Sequence, residues 1–294
     1  MLSYTETPLL EIEDPFIREA GVRLFIKRED LNHPEVSGNK WWKLKYNIEM
    51  ALEQKSDTLL TFGGAYSNHI FATAAAAAEL GLKSIGIIRG EETLPLNSTL
   101  SFAKSKGMQL HYVSREGYRQ KTEEAFIENL KKQFGEFYLI PEGGTNDFAV
   151  KGCSEFAEKI LRETEFDYVC LPVGTGGTMA GIIKGLSGKK EVIGFSSLKG
   201  GAFLKEEVEN ILNAEHAAFK NWIINSEYHF GGYGKVSNQL KKFISEQFER
   251  HRLPLDQVYT SKMLFGIYEE IKKGYFRRGS TILAIHSGGL QGLF

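Results

Sequence analysis

The chain has 294 residues, 42% of them apolar and 25% charged, with a formal net charge of −1. That length is long for one compact core and suits two domains, or one large domain with a lobe. A balanced charge argues against a nucleic-acid binder relying on bulk positive potential. Two cysteines are too few for a disulfide framework, and no run approaches the ~20 apolar residues of a membrane span. With no leader-like apolar stretch at the N-terminus either, a cytoplasmic soluble protein is expected. Cys170, inside Tyr168-Val169-Cys170-Leu171, reads as a buried structural thiol.

From Thr58 onward, short β-rich runs alternate with longer helical ones. Thr58–Phe62 reads as a strand broken by Gly63-Gly64, and Ser67–Leu80 as a helix whose alanine run allows close packing. Strand Ser84–Arg89, helix Leu96–Lys106, strand Met108–Val113, helix Thr122–Phe134 and strand Phe137–Ile140 follow. After Glu142-Gly143-Gly144-Thr145-Asn146 come helix Asn146–Thr164, strand Tyr168–Val173, helix Gly177–Leu186, strand Glu191–Ser197 and helix Ala202–Ala214. Helices Gln239–Arg250 and Ser261–Lys273 and strand Ser280–Ile285 close the series. The alternation predicts an α/β protein of parallel sheets covered on both faces. The boundaries expected are a small domain over 46–150 and a large one from 1–45 plus 151–294.

Ser37-Gly38-Asn39-Lys40 sets a lysine after a turn and at the mouth of an amphipathic helical run beginning Trp41-Trp42-Lys43. A lysine held there suits Schiff-base chemistry with a carbonyl cofactor, although a solvated turn charge has the same local pattern. Gly174-Thr175-Gly176-Gly177-Thr178 follows a strand and opens a helix, so its amides and hydroxyls can turn toward an anion. It matches neither the Walker A pattern nor a clean Gly-x-Gly-x-x-Gly, and a ligand-free glycine turn is the plain alternative. Ser67 is a natural N-cap, and with Asn68 and the first-turn amides it could make a carboxylate pocket, while His69 alone reads as an ordinary helix residue. Val258-Tyr259-Thr260-Ser261-Lys262 opens a helix, Phe230-Gly231-Gly232-Tyr233-Gly234 presents an aromatic hydroxyl, and His286-Ser287-Gly288-Gly289 lies just past the last strand. Ligands of parallel sheets lie at such strand ends.

In their order along the chain these motifs resemble pyridoxal-phosphate enzymes of the tryptophan synthase β-like fold (fold type II), with two parallel-sheet three-layer domains. They are most similar to the 1-aminocyclopropane-1-carboxylate deaminase/D-cysteine desulfhydrase family, over nearly the whole chain from Thr7-Pro8-Leu9 and an opening strand Leu24–Glu29. The resemblance implies pyridoxal 5'-phosphate as cofactor, a small amino acid as substrate, no metal, and a homodimer. It implies that Lys40 bonds the cofactor and moves protons at the substrate α-carbon. Lys43 and Gly174, Thr175, Gly176, Gly177 and Thr178 would hold the phosphate, Asn68 the ring hydroxyl and Ser287 the pyridine nitrogen. Ser67, Asn68 and His69 would surround the substrate, with Ser67 at its carboxylate or α-carbon, Tyr259 near the ring and Tyr233 on the substrate side.

In the deaminases an acidic residue follows the tyrosine of Val-Tyr; here it is Thr260. Ring opening needs a strong electron sink, which a carboxylate at the pyridinium favours, whereas elimination of a thiolate needs less. The expectation is therefore β-elimination of the D-cysteine desulfhydrase type, giving pyruvate, ammonia and hydrogen sulfide. Deamination of 1-aminocyclopropane-1-carboxylate to 2-oxobutanoate is the alternative. A non-catalytic nucleotide-binding or regulatory protein is the reading from another class. Ser37, the Trp41-Trp42 pair and Lys45 depart from the family pattern, which puts the substrate entrance in question.

Overall fold

The computed structural model describes residues 2–213 and 218–292. Two sheets form. The larger has the strand order β1-β2-β10-β7-β8-β9, from β1 (Leu9–Glu11), β2 (Arg23–Lys27), β10 (Thr281–Ile285), β7 (Tyr168–Val173), β8 (Glu191–Ser196) and β9 (Trp222–Asn225). The smaller has the order β5-β4-β3-β6, from β5 (Gln109–Val113), β4 (Lys83–Arg89), β3 (Thr58–Gly63) and β6 (Tyr138–Ile140). All pairings are parallel except β1 with β2, where Leu9 faces Lys27 in an antiparallel edge. The sheets are otherwise parallel as expected, and at this edge the short connection turns β2 back along β1 instead of crossing over the sheet.

Alternate residues of β7 and β10 enter opposite cores, as a sheet covered on both faces requires. Val169, Leu171, Leu283 and Ile285 pack toward α2 (Asn39–Glu53), α6 (Asp147–Glu163) and α7 (Gly177–Leu186). Tyr168, Cys170, Ile282 and Ala284 pack toward α9 (Asn238–His251) and α10 (Thr260–Lys272). Cys170 is fully buried in that second layer and its thiol is pushed up by burial. In the smaller sheet, Leu60, Phe62, Ile85 and Ile87 face α5 (Glu124–Phe134), while α3 (Asn68–Glu79) and α4 (Ser98–Ser105) cover the other side through Ile70, Ala74 and Leu100.

Most predicted elements fall within two residues of those observed. The predicted helix Ala202–Ala214 is α8 (Phe203–Leu212), and its expected last residue, Ala214, lies outside the described residues. Strands β1 and β9 and the short helix α1 (Pro15–Glu19) were not expected. The two strands are short sheet edges, and in β9 only Trp222 is buried, so neither shows a clear alternating pattern. In α1, Asp14 caps the helix by accepting from the Phe16 amide at 3.0 Å, with Pro15 at the first turn.

Glycines on α6 and α7 bring α2, α6 and α7 together. A Cβ at Gly152 would run into the Trp42 carbonyl, and one at Gly181 into Cys153. Trp41 and Trp42, whose departure from the family pattern put the substrate entrance in question, are 6% and 4% exposed. Their indole N–H groups donate to the Ser3 carbonyl and to Glu29 Oε2, both at 2.7 Å. Trp42 stacks on Phe156 of α6, so the pair fills core and leaves the entrance to other residues. Lys45 pairs with Glu155 at 2.7 Å, also on α6.

Candidate active site

The N-termini of α2, α3 and α7 converge on the carboxyl end of β10. At Gly38 the backbone is left-handed (φ 69°), and any Cβ would strike the Ser287 carbonyl. Only glycine allows that approach, and the next amide, Asn39 N–H, donates to Ser287 O at 3.2 Å. Lys40 is thereby fixed beside the strand end. It lines a crevice with Glu35, Ser37, Asn68, Ser287 and Gln291. Burial pushes the Lys40 ammonium down to about 8, and its Nζ donates to Asn39 Oδ1 at 3.2 Å.

One helical turn on, Lys43 is 1% exposed. Its Nζ donates to Thr145 Oγ1 at 3.0 Å, and among the described residues no carboxylate pairs with it. Burial, reinforced by the neighbouring Lys40 charge, lowers Lys43 to about 7. Thr145 Oγ1 in turn bonds Thr175 Oγ1 at 2.8 Å, and Asn39 Nδ2 donates to Thr178 Oγ1 at 2.8 Å. A Cβ at Gly177 would meet Thr145 at 2.8 Å, so the glycine-rich turn is pressed against that threonine. Gly176, at the N-cap of α7, has φ 77° and caps with no side chain. A buried cation lacking an anion, threonine hydroxyls and an uncapped helix N-terminus together fit a phosphate monoester.

Tyr259 closes the other flank. Its ring lies against Gly174, where a Cβ would sit 3.2 Å from Cε1, and edge-on to Tyr233 with centroids 6.0 Å apart. Burial, and then the nearby Tyr233 and Asp256, hold the Tyr259 hydroxyl well above its usual range, so it stays protonated. Thr260 is fully buried, and its hydroxyl donates to Asp256 Oδ1 at 2.6 Å while accepting from the Asp256 amide at 3.1 Å. The Asp256 carboxylate also accepts from the amides of Val258, Tyr259 and Thr260, each at 2.7 Å. That carboxylate is committed to the helix N-terminus.

Ser67 caps α3, its Oγ accepting from the His69 and Ile70 amides at 3.2 and 3.3 Å. Asn68 Oδ1 accepts from the Gln291 amide, which closes the crevice from the C-terminal side. His69 points behind the crevice and is 1% exposed. Thr61 has one hydroxyl proton and donates it to Ile140 O at 2.8 Å, so its contact with His69 Nε2 at 2.8 Å has the imidazole donating. The neutral Nε2–H tautomer follows, with Nδ1 left unpartnered beside Gly144. Burial, then the charges of Lys40 and Lys43, keep His69 neutral by lowering it well below its usual range.

Lys40, Asn68 and Ser287 thus share one crevice, and Lys43 and the 174–178 turn adjoin it through Asn39 and Thr145. The residues not singled out from sequence are Asn39, Thr145, Asp256 and Gln291. Asn39 was read only as part of a turn and Thr145 only as part of a glycine-rich connection, while Asp256 and Gln291 carry no local signature. A model of pyridoxal-phosphate-dependent enzymes matches residues 1–288. This chain belongs to that family. The enzyme is 33% identical to a putative 1-aminocyclopropane-1-carboxylate deaminase of Pyrococcus horikoshii, over 98% of this chain and 91% of that one. It is 32% identical to the mitochondrial bifunctional D-cysteine desulfhydrase/1-aminocyclopropane-1-carboxylate deaminase of Arabidopsis thaliana, covering 100% of this chain and 78% of the relative. A crystal structure described as an ACC deaminase homologue superposes with a TM-score of 0.85 at 31% identity, covering 100% and 92% of the two chains. Pyridoxal phosphate is its cofactor, and the tryptophan synthase β-like fold of the sequence reading stands.

Proposed function

We propose that this pyridoxal-phosphate enzyme eliminates a β-substituent from a small amino acid, with D-cysteine and water giving pyruvate, ammonia and hydrogen sulfide. The observation that carries the reading is Thr260. Where the deaminase pattern has an acid there is a buried hydroxyl whose proton is already given to Asp256. The ring side is then left to Ser287, a neutral hydroxyl at the end of β10. The bound cofactor supplies an electron sink for charge developing at the α-carbon.

The protein groups do the rest. Lys40, poised at about 8, takes the α-proton. Lys43 with Gly174, Thr175, Gly176, Gly177 and Thr178 neutralises and orients the phosphate. Asn68 meets the ring hydroxyl, and Ser67, with Asn68 at the same helix start, receives the substrate carboxylate, while His69, expected beside them, packs behind the crevice. Tyr259 flanks the ring and Tyr233 the substrate. The small domain is 46–150, carrying the four-stranded sheet, and 1–45 plus 151–294 make the large one. Among the described residues no helix is long and apolar enough to cross a membrane, and we place the enzyme in the cytoplasm as a homodimer.

The purified protein is expected to show a visible Schiff-base absorption band, discharged by borohydride and absent in Lys40→Ala. A colourless protein indifferent to added pyridoxal phosphate overturns the assignment of Lys40. Sulfide release from D-cysteine against 2-oxobutanoate release from 1-aminocyclopropane-1-carboxylate then decides the reaction. The second reading, ring opening, is favoured by the name of the Pyrococcus relative, while the Arabidopsis name carries both activities, and activity on the cyclopropane alone establishes it over elimination.

A further inference from the structure

We propose that Lys262 is a positioning residue that holds the 229–232 loop, and through it Tyr233, against the Tyr259 flank of the crevice. This rests on the assignment of Tyr233 to the substrate side. Lys262 is the third residue of α10 and is 1% exposed. Its Nζ donates to the carbonyls of His229 at 3.0 Å and Gly232 at 2.8 Å. Those same carbonyls close the loop's own turns, accepting from the amides of Gly232 and Lys235 at 3.0 and 3.1 Å. The loop is left-handed at Phe230, Gly231, Gly232 and Gly234, a backbone with no ladder to hold it. Its docking is therefore carried by Lys262 and by Phe230, whose ring meets Phe265 of α10 edge-on at 4.9 Å. Tyr233 leaves this anchor directly onto Tyr259.

A purely structural role does not need a lysine here. Burial lowers Lys262 to about 8, with Asp256 the acid that opposes the shift, so the chain bears a desolvation cost that a methionine of similar length would avoid. Among the described residues, the other titratable groups at the loop are His229, Lys199 under Gly232, Lys235 beside Gly231, and the phenols of Tyr233 and Tyr259, none of them a carboxylate. What lysine provides, and a methionine does not, is charged donors to two carbonyls at once.

The test uses the holoenzyme carrying Lys262→Met, Tyr233→Ala, or both, and reads amide hydrogen exchange over 229–234 together with KM and kcat. Lys262→Met is expected to speed loop exchange and raise the amino-acid KM, each about tenfold, as loss of charge-assisted hydrogen bonds implies. The cofactor absorption band should be unchanged. In the Tyr233→Ala background the same substitution should change KM by less than about twofold. Additive effects on KM, or unchanged loop exchange, overturn the proposal. Should Lys262→Met not fold, Lys262→Gln carries the same readings with a smaller effect. Loop exchange needs no turnover, so an enzyme inactive on both amino acids sinks the proposed reaction while this test still stands.

Discussion

Lys27 and Lys43 are each 1% exposed, and they differ in what surrounds the charge. Lys27, on β2, donates to Glu163 at 2.6 Å and to the Thr7 carbonyl at 2.8 Å. Lys43, on α2, has one threonine hydroxyl and a second ammonium nearby. Equal burial thus goes with an internal ion pair in one place and, in our proposal, with a phosphate contact in the other. The first charge is balanced within the chain, and among the described residues the second meets no carboxylate, which is what the proposed phosphate contact would supply.

The largest expected effect follows from removing each amine. Lys43→Met should weaken pyridoxal-phosphate retention by about 100-fold, the scale of a lost charge-assisted phosphate contact. The same change should stabilise the cofactor-free protein at pH 7 by on the order of 2 kcal/mol, because an unbalanced buried cation disappears. Lys27→Met should do the reverse: about 2 kcal/mol of stability lost, since Glu163 keeps only Lys159, and cofactor retention unchanged. Denaturant melts and a cofactor titration of both variants separate the two cases. Equal loss of cofactor in both would erase the distinction.

Next comes pH. Lys40 and Lys43 hold their protons less tightly folded than unfolded, at about 8 and about 7 against an ordinary 10.5. Between roughly pH 7 and 10.5 the unfolded chain therefore binds more protons, and cofactor-free stability should rise with pH across that window. Retention of the cofactor phosphate should fall over the same window as Lys43 loses its charge. Saturation with inorganic phosphate should flatten the stability rise, since an adjacent anion restores the Lys43 proton. A stability curve level from pH 7 to 10 would contradict the charge imbalance.

The smallest effect concerns the tryptophans. Trp42→Phe removes one hydrogen bond to the buried Glu29 carboxylate and should cost about 1.5–3 kcal/mol, with kcat/KM unchanged. A raised KM would tie Trp42 to the substrate entrance rather than to the core.

Much of the site was legible because its parts are local. A glycine before a lysine, a serine opening a helix and a glycine-rich strand-to-helix turn each have a short-range physical signature. What stayed hidden depends on chain pairs far apart. Thr145 gains meaning only where Lys43 and Thr175 meet it. Asp256 matters because Thr260 and two further amides fold back on it, and Gln291 because it reaches Asn68 across the crevice. Edge strands β1 and β9 were invisible for a related reason, since pairing partners rather than their own pattern define them.

By itself the sequence determined the alternation of strands and helices, the lysine at the mouth of α2 and the glycine-rich turn that opens α7, because periodicity and turn chemistry act within a few residues. Tertiary structure decided which charges have partners. It turned Trp41 and Trp42 into core, gave the Thr260 proton to Asp256 and set His69 neutral behind the crevice. Burial and electrostatics are sums over everything nearby in space, and sequence order does not list those neighbours.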